Sequence, residues 1–195
     1  MKTLFISTYN ELITIGLLRD GNLLVEQEHQ SERSHSSHLV PLIEQVLKTQ
    51  GLTPQALDEI IVVNGPGSFT GVRLGITVAK TLAYTLNIPI KTITSIEALA
   101  LSTSVTTKKL VNVDDAKGSY YGVFENNTLQ GEINYLKIES FRQLLAENKW
   151  EDLVQSSLSK LSLEAIYQYL KNKGVVSAHH VQAIYIKTIE VENDK

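Results

Sequence analysis

Three clusters of residues in this chain are of types that chemistry uses. The first is Asn64-Gly65-Pro66-Gly67-Ser68-Phe69-Thr70-Gly71. Glycines with unblocked backbone N–H groups at the start of a helix can hold a phosphate or another anion, and the same glycines can instead serve a tight turn and close packing. Gly65, Gly67 and Gly71 give a G-x-G-x-x-x-G spacing, which matches neither the dinucleotide fingerprint nor the lysine loop of nucleotide hydrolases. Ser68 is no acyl-transfer nucleophile elbow, because Pro66 and Thr70 stand where that motif needs glycine. The second cluster is His35 and His38, one helical turn apart. They could approach one metal ion, but no third ligand is identifiable, and a hydrogen-bonded or interface histidine is the alternative. His179-His180 suggests nothing specific. The third is Asp114-Asp115, at a strand end where α/β enzymes hold magnesium or place a base. Adjacent strand residues point to opposite faces, so only one could serve a given site. The competing reading is a plain turn through Asp114-Asp115-Ala116-Lys117-Gly118. No Ser/His/Asp triad and no two-His-plus-carboxylate set can be placed, so no catalytic residue and no metal ligand is assigned.

The elements that must position these clusters follow from hydropathy. Residues 3–8 and 12–19 are rich in β-formers, and Asp20-Gly21 before Leu23-Leu24-Val25 is the signal of a type I′ hairpin. Three antiparallel strands therefore open the chain. Leu39, Leu42, Ile43, Val46 and Leu47 recur at helical spacing, with Gly51 as the stop, Ser34, Ser36 and Ser37 as candidate caps, and Pro41 required near the start. Ile60–Val63 reads as a strand buried on both faces that runs straight into the glycine turn and a helix to about Leu86. Strand, turn and helix in that order imply a parallel sheet. A strand over 88–93 and a helix over 95–101 follow.

The Ser/Thr-rich stretch 102–107 is the expected lobe boundary, dividing the chain into 1–104 and 105–195. Beyond it, strands are expected over 109–113, 120–124 and 133–138, helices over 140–147 and 161–173, and a last strand over 183–187 before a charged tail.

The helix after the glycine turn is apolar on two sides. Gly71, Gly75, Ala79 and Ala83 stand four apart and permit a close backbone approach, while Val72, Ile76 and Leu86 form a second apolar face. Such a helix must be covered on both sides, by its own sheet plus another helix or by its sheet plus a partner chain.

Composition limits the function classes. The chain has 195 residues, 43% hydrophobic and 20% charged, as an ordered globular protein does. The absence of cysteine removes disulfides, thiolate metal sites and cysteine nucleophiles, and it fits a reducing compartment. Lys+Arg 18 against Asp+Glu 21 gives a net charge of −3, without the basic excess of a stand-alone nucleic-acid binder. The longest aliphatic run, Ile60-Ile61-Val62-Val63, is far below the ~20 residues of a membrane span, so a cytoplasmic protein is expected.

The run Gly65-Pro66-Gly67-Ser68-Phe69-Thr70-Gly71-Val72-Arg73-Leu74-Gly75, with Ala79-Lys80 and Leu82-Ala83, resembles the signature of the TsaB (YeaZ) family. His35-Ser36 through Ile43, Ser95 to Ala100, and Val113-Asp114 with Gly118 and Tyr121 support the resemblance, which covers about residues 1–124. It implies an α/β, two-lobed actin-like, Hsp70-like ATPase (ribonuclease H-like) fold with a reduced second lobe. It also implies a non-catalytic scaffold that activates the related TsaD subunit in threonylcarbamoylation of adenosine 37 of tRNA, beside the ATPase TsaE and TsaC, which supplies threonylcarbamoyl-adenylate. Through the resemblance, an interface is expected at His35, Leu39, Leu42, Ile43, Val46, Gly71, Val72, Gly75, Ile76, Ala79 and Ala83, with TsaD or with a second copy of this chain. Gly75→Leu is expected to break it and leave the fold intact. No cofactor is expected on this chain alone. ATP or ADP with magnesium is left to the assembled complex, and tRNA is reached only through it.

The sequence departs from the family pattern where the first strand usually reads Ile-Asp-Thr-Ser. Here Ile6-Ser7-Thr8-Tyr9 lacks the acid that actin-like ATPases keep near phosphates and metal. Asp115-Ala116-Lys117 lacks the usual Ala-Arg-Arg character. The rival reading is an ATP-dependent enzyme of the sugar-kinase type, with the 65–71 turn on phosphate and Asp114 on magnesium or acting as base. Ser7 argues against it.

Overall fold

The computed structural model describes residues 1–30, 35–105, 107–148, 150, 152–155 and 160–186. Strands β1 (Lys2–Ser7), β2 (Leu12–Arg19) and β3 (Asn22–Gln30) form the expected antiparallel meander. Asp20 (φ 53°) and Gly21 (φ 88°) both take the left-handed conformation that a type I′ turn demands. Helix α1 (His35–Thr49) leads through a short 3-10 turn at Pro54–Ala56 to β4 (Glu59–Val63), which pairs parallel with β1. Helix α2 (Phe69–Leu86) then crosses to β5 (Ile90–Ile93), parallel to β4, completing a five-stranded sheet in the order β3-β2-β1-β4-β5. All five residues of β4 are buried, which is why Ile60–Val63 is a continuous apolar run and why Glu59 is paired with Lys91.

Helix α3 (Ser95–Leu101) starts with a reciprocal cap. Thr94 Oγ1 accepts from Glu97 N at 3.0 Å, and Glu97 Oε2 accepts from Thr94 N at 3.2 Å. A second sheet follows: β6 (Lys109–Asp115), β7 (Gly118–Glu125), β8 (Thr128–Leu129) and β9 (Asn134–Lys137), then α4 (Ile138–Glu147) and β10 (Asp152–Gln155). Strand β7 pairs with both β8 and β9, and β10 lies parallel to β6 on its other side. Between the lobes, Lys109 Nζ donates to Ala100 O at 2.6 Å, Val105 O at 2.5 Å and Asn127 Oδ1 at 2.8 Å, tying the end of α3 to the second sheet.

Helix α5 (Leu163–Leu170) corrects the expected lobe division. It packs on the first sheet: Leu163 Cδ1 fills the space beside Gly16, and the Tyr167 ring lies over Gly21. Val176 then bridges Ile90 at the outer edge of β5. Residues 160–186 therefore complete the first lobe, and the second is built from about 109–155. The expected helix over 161–173 is shorter than its apolar pattern. The strand expected over 183–187 is an extended segment without ladder pairing over 183–186. Lys187, like Ser34, lies outside the described residues. Strand β10 escaped the sequence reading, and Ser36, Ser37 and Pro41 lie inside α1.

One apolar core spans the first sheet, α1, α2, α3 and α5, with Leu4, Phe5, Ile6, Ile13, Ile15 and Leu17 fully buried at its centre. Each such side chain contributes roughly 1.5–3 kcal/mol of burial free energy.

Candidate functional site

The glycine turn is stitched to the end of β1. Ser68 N donates to Tyr9 O at 2.7 Å, Thr8 Oγ1 donates to Gly71 O at 2.7 Å, and the Ser68 hydroxyl caps α2 by accepting from Gly71 N at 3.2 Å. On the other side Ser95 N donates to Gly65 O and Ser95 Oγ to Pro66 O. A Cβ on Gly71 would lie 2.2 Å from Thr8 O, and one on Gly75 2.3 Å from Thr8 Oγ1. Gly71 thus permits a close approach of two backbones within this chain, and Gly75 makes room for the Thr8 side chain. Two of the donors an anion would need, the N–H groups of Ser68 and Gly71, are spent on Tyr9 and on the cap. Of the four turn residues singled out from the sequence, Gly65 is buried, Gly67 half-buried, and Ser68 and Thr70 exposed.

This geometry revises the expected interface. Gly71, Val72, Gly75, Ile76, Ala79 and Ala83 are buried in the chain itself, where α2 lies on β1 and β4. Leu39, Ile43 and Val46 are the buried face of α1, which packs on β2 and β3. Most of these side chains are covered by the chain's own sheet, and Ile76 also borders an open groove beside Lys80. His35 and Leu42 alone of the set are partly accessible, and His35 Nε2 lies 2.9 Å from Asn10 O. The small-residue spacing reported a short interaxial distance correctly, but the neighbour is the chain's own first strand.

What the two helices turn outward is different. Val40 (47% exposed) stands out on α1, and Phe69 (59%) and Tyr84 (69%) stand out on α2. Arg73 lies between the two aromatics, one turn after Phe69. Its guanidinium carbon is 3.7 Å from the Phe69 ring centroid and 5.4 Å from that of Tyr185, and its Nε donates to the Tyr185 hydroxyl at 2.6 Å. The Tyr84 and His179 rings meet edge to face at 5.4 Å. Positions 69, 73, 77, 80 and 84 follow helical spacing, so the ridge was present in the sequence. Its signal was two large aromatics on the polar side of an amphipathic helix.

The other candidates resolve as structure. His38 packs on His29 of β3, with ring centroids 4.2 Å apart and the rings tilted by 36°. No group of three or more His, Asp or Glu able to hold a metal exists among the described residues. Asp114 and Asp115 end β6 at the hairpin into β7. Asp114 Oδ1 accepts from Asn112 Nδ2 at 2.8 Å and Ser119 Oγ at 2.9 Å, and Asp115 Oδ1 accepts from Ala116 N at 2.7 Å. Ser7 Oγ is buried at the end of β1 without a hydrogen-bond partner. Burial pushes the Tyr9 phenol far above its ordinary value and holds the Lys109 ammonium below its own. No helix among the described residues is long and apolar enough to cross a membrane.

Two sheets of this winding, the first of them extended through a strand, glycine turn and helix, give the two-lobed actin-like fold. A structure of YeaZ from Pseudomonas aeruginosa superposes with a TM-score of 0.80 at 21% identity, covering 94% of this chain and 100% of that one. A second Pseudomonas aeruginosa structure, of an uncharacterised protein with similarity to peptidase YeaZ, also gives 0.80, at 20% identity over 95% of this chain and 99% of the other.

Residues 25–147 match the family model TsaD, tRNA N6-adenosine threonylcarbamoyltransferase. The chain belongs to this family, among its TsaB (YeaZ) members. The tRNA threonylcarbamoyladenosine biosynthesis protein TsaB of Bacillus subtilis is 42% identical over 100 residues, 51% of this chain and 44% of the relative. That of Haemophilus influenzae is 34% identical over 51% of this chain and 42% of its own, and that of Escherichia coli 29% identical over 62% and 53%. The chain therefore spans about half the length of the curated relatives it matches.

Proposed function

We infer that this chain is a non-catalytic subunit that docks a TsaD-family subunit through the outward faces of α1 and α2 and supports threonylcarbamoylation of tRNA adenosine without performing the chemistry. One observation carries the reading: an aromatic and cationic ridge, Phe69, Arg73 and Tyr84, stands exposed on a helix pinned to β1 by Gly71 and Gly75. Exposed Tyr, Phe and Arg on a rigid support are the residue types that dominate binding energy at protein interfaces. The absence of a carboxylate at Ser7, the engagement of Asp114 with Asn112 and Ser119, and the spent N–H groups of the glycine turn speak for leaving catalysis to the partner. In this reading ATP or ADP and magnesium, TsaE and tRNA are met in the assembled complex, a second copy of this chain competes for the same ridge, and the setting is cytoplasmic.

The test is size-exclusion chromatography with light scattering on the chain alone and mixed with the TsaD-family subunit of the same cell. A one-to-one complex is expected. Phe69→Ala with Tyr84→Ala should weaken it at least about tenfold, since interface aromatics cost 2 kcal/mol or more on truncation, with the melting temperature unchanged. If no complex forms with or without nucleotide and TsaE, the scaffold reading fails, and magnesium-dependent ATP binding by the isolated chain becomes the next measurement.

A further inference from the structure

After α5 the chain returns along the outside of the first sheet. Val176 N donates to Ile90 O at 2.9 Å on the edge of β5, and Ile184 N donates to Asn64 O at 2.9 Å beside the glycine turn. Between these pins the chain crosses one flank of α2. Lys80 Nζ donates to the carbonyls of His179 at 3.3 Å and Val181 at 3.1 Å, and Asn64 Nδ2 donates to that of Gln182 at 3.3 Å. Val181 is buried, whereas His179, His180, Gln182 and Tyr185 are exposed. A cavity of about 520 Å³ stays open between this crossing and the helix, lined by Arg73, Ile76, Thr77 and Lys80 on the helix side.

The crossing is held mainly through main-chain carbonyls, contacts that any extended chain can make, and it buries one large side chain over an unfilled groove. Segments with so little burial open locally at low cost. The charged side chains that line the groove among the described residues are Arg73 and Lys80. Among the chain's 21 acids none lies in residues 60–96 or 165–186. Among the described residues Lys80 is met by carbonyl oxygens, and Arg73 by the Tyr185 phenol and the Phe69 and Tyr185 rings. Charge-assisted bonds from Lys or Arg to a carboxylate are shorter and about twice as strong as those to a neutral acceptor. The two cations are seven positions apart on one helix face, about 10 Å along the axis.

We propose that residues 178–185 are a displaceable strap that occupies the α2 groove in the free protein, and that an extended acidic segment of the partner subunit takes its place. The identity of the partner rests on the reading above, but the chemistry of the groove does not. The test uses the full chain, a fluorescent ten-residue peptide of alternating Glu and Leu, and a fluorescent ten-nucleotide uridine RNA. Val181→Ser should speed amide hydrogen exchange at Ile184 about tenfold, leave Ile60 unchanged, and tighten peptide binding by a similar factor, since loss of one buried aliphatic anchor is of that order. Tyr185→Ala, at an exposed position, should act in the same direction by less. Adding Lys80→Gln to Val181→Ser should cancel the gain, and peptide binding should weaken with salt. Exchange at Ile184 that occurs only together with Ile60, peptide affinity indifferent to Val181→Ser, or RNA bound more tightly than the peptide would each overturn the proposal. Failure to bind the TsaD-family subunit while these results hold would remove the partner and leave the groove.

Discussion

The two sheets of this chain are wound alike and finished differently. In each, a first strand is followed by an antiparallel meander, and a helix then carries the chain back to add a parallel strand on the first strand's other side: β1 to β4 through α1, and β6 to β10 through α4. The first sheet goes on through the glycine turn and α2 to β5, and α5 closes over it. Among the described residues the second sheet has no counterpart of α2 or of β5. Burial records the result: all of β4 is inside, whereas in β10 only Val154 is. The element that carries the proposed interface is thus the one the second half omits, so the winding alone confers no docking face.

Four substitutions probe that contrast. The largest effect is expected in the first sheet from Lys91→Met, which strands Glu59. The pair is 2.9 Å apart with side chains 7% and 3% exposed, and breaking a buried pair from one side costs about 3–5 kcal/mol; chemical denaturation should show it. Gly71→Ala comes next, at about 2–3 kcal/mol, because its Cβ meets the Thr8 carbonyl at 2.2 Å and backbone cannot yield as a side chain does.

Lys109→Met, at the joint of the two lobes, removes three hydrogen bonds and should cost about 1–2 kcal/mol. It should also change the pH profile. The Lys109 ammonium is depressed in the folded state, so between its folded and unfolded values the unfolded chain binds the extra proton, and stability rises with pH. That rise below about pH 10.5 should flatten in the variant. The smallest effect is expected in the second sheet from Gly122→Ala, below about 1 kcal/mol. Its Cβ meets only side-chain ends, Leu129 Cδ1 at 2.9 Å and Ile96 Cγ2 at 3.0 Å. A Gly122→Ala cost equal to that of Gly71→Ala would show the second lobe to be as tightly built as the first.

Local patterns were the legible part. Asp20-Gly21, the apolar run of β4 and the glycine turn announced the hairpin, the parallel sheet and the strand-to-helix passage from adjacent residues. Periodicity showed that α2 is buried on two sides, but spacing measures how near a neighbour comes and cannot name it; on the Gly71 and Gly75 side that neighbour is Thr8, just past β1. Strand β10 was missed because Asp152-Leu153-Val154-Gln155 carries only one apolar pair, and its reason to be extended is β6, distant in sequence. The same holds for the returning segment. Ala183-Ile184-Tyr185-Ile186 reads as a strand, yet its hydrogen bond goes to Asn64 O at a sheet end, a long-range choice invisible to local propensity.

The packing of Leu163 into the space beside Gly16 has a consequence for synthesis. The first sheet needs both ends of the chain, so a ribosome delivers its cover last. At ordinary elongation rates of about 5–20 residues per second, Leu163 follows Gly16 by roughly 7 to 30 seconds. Throughout that interval the nascent sheet shows water the apolar patch around Gly16 and Phe5 that α5 later seals. This face is where a nascent-chain chaperone should be found, and where an arrested translation product should first aggregate.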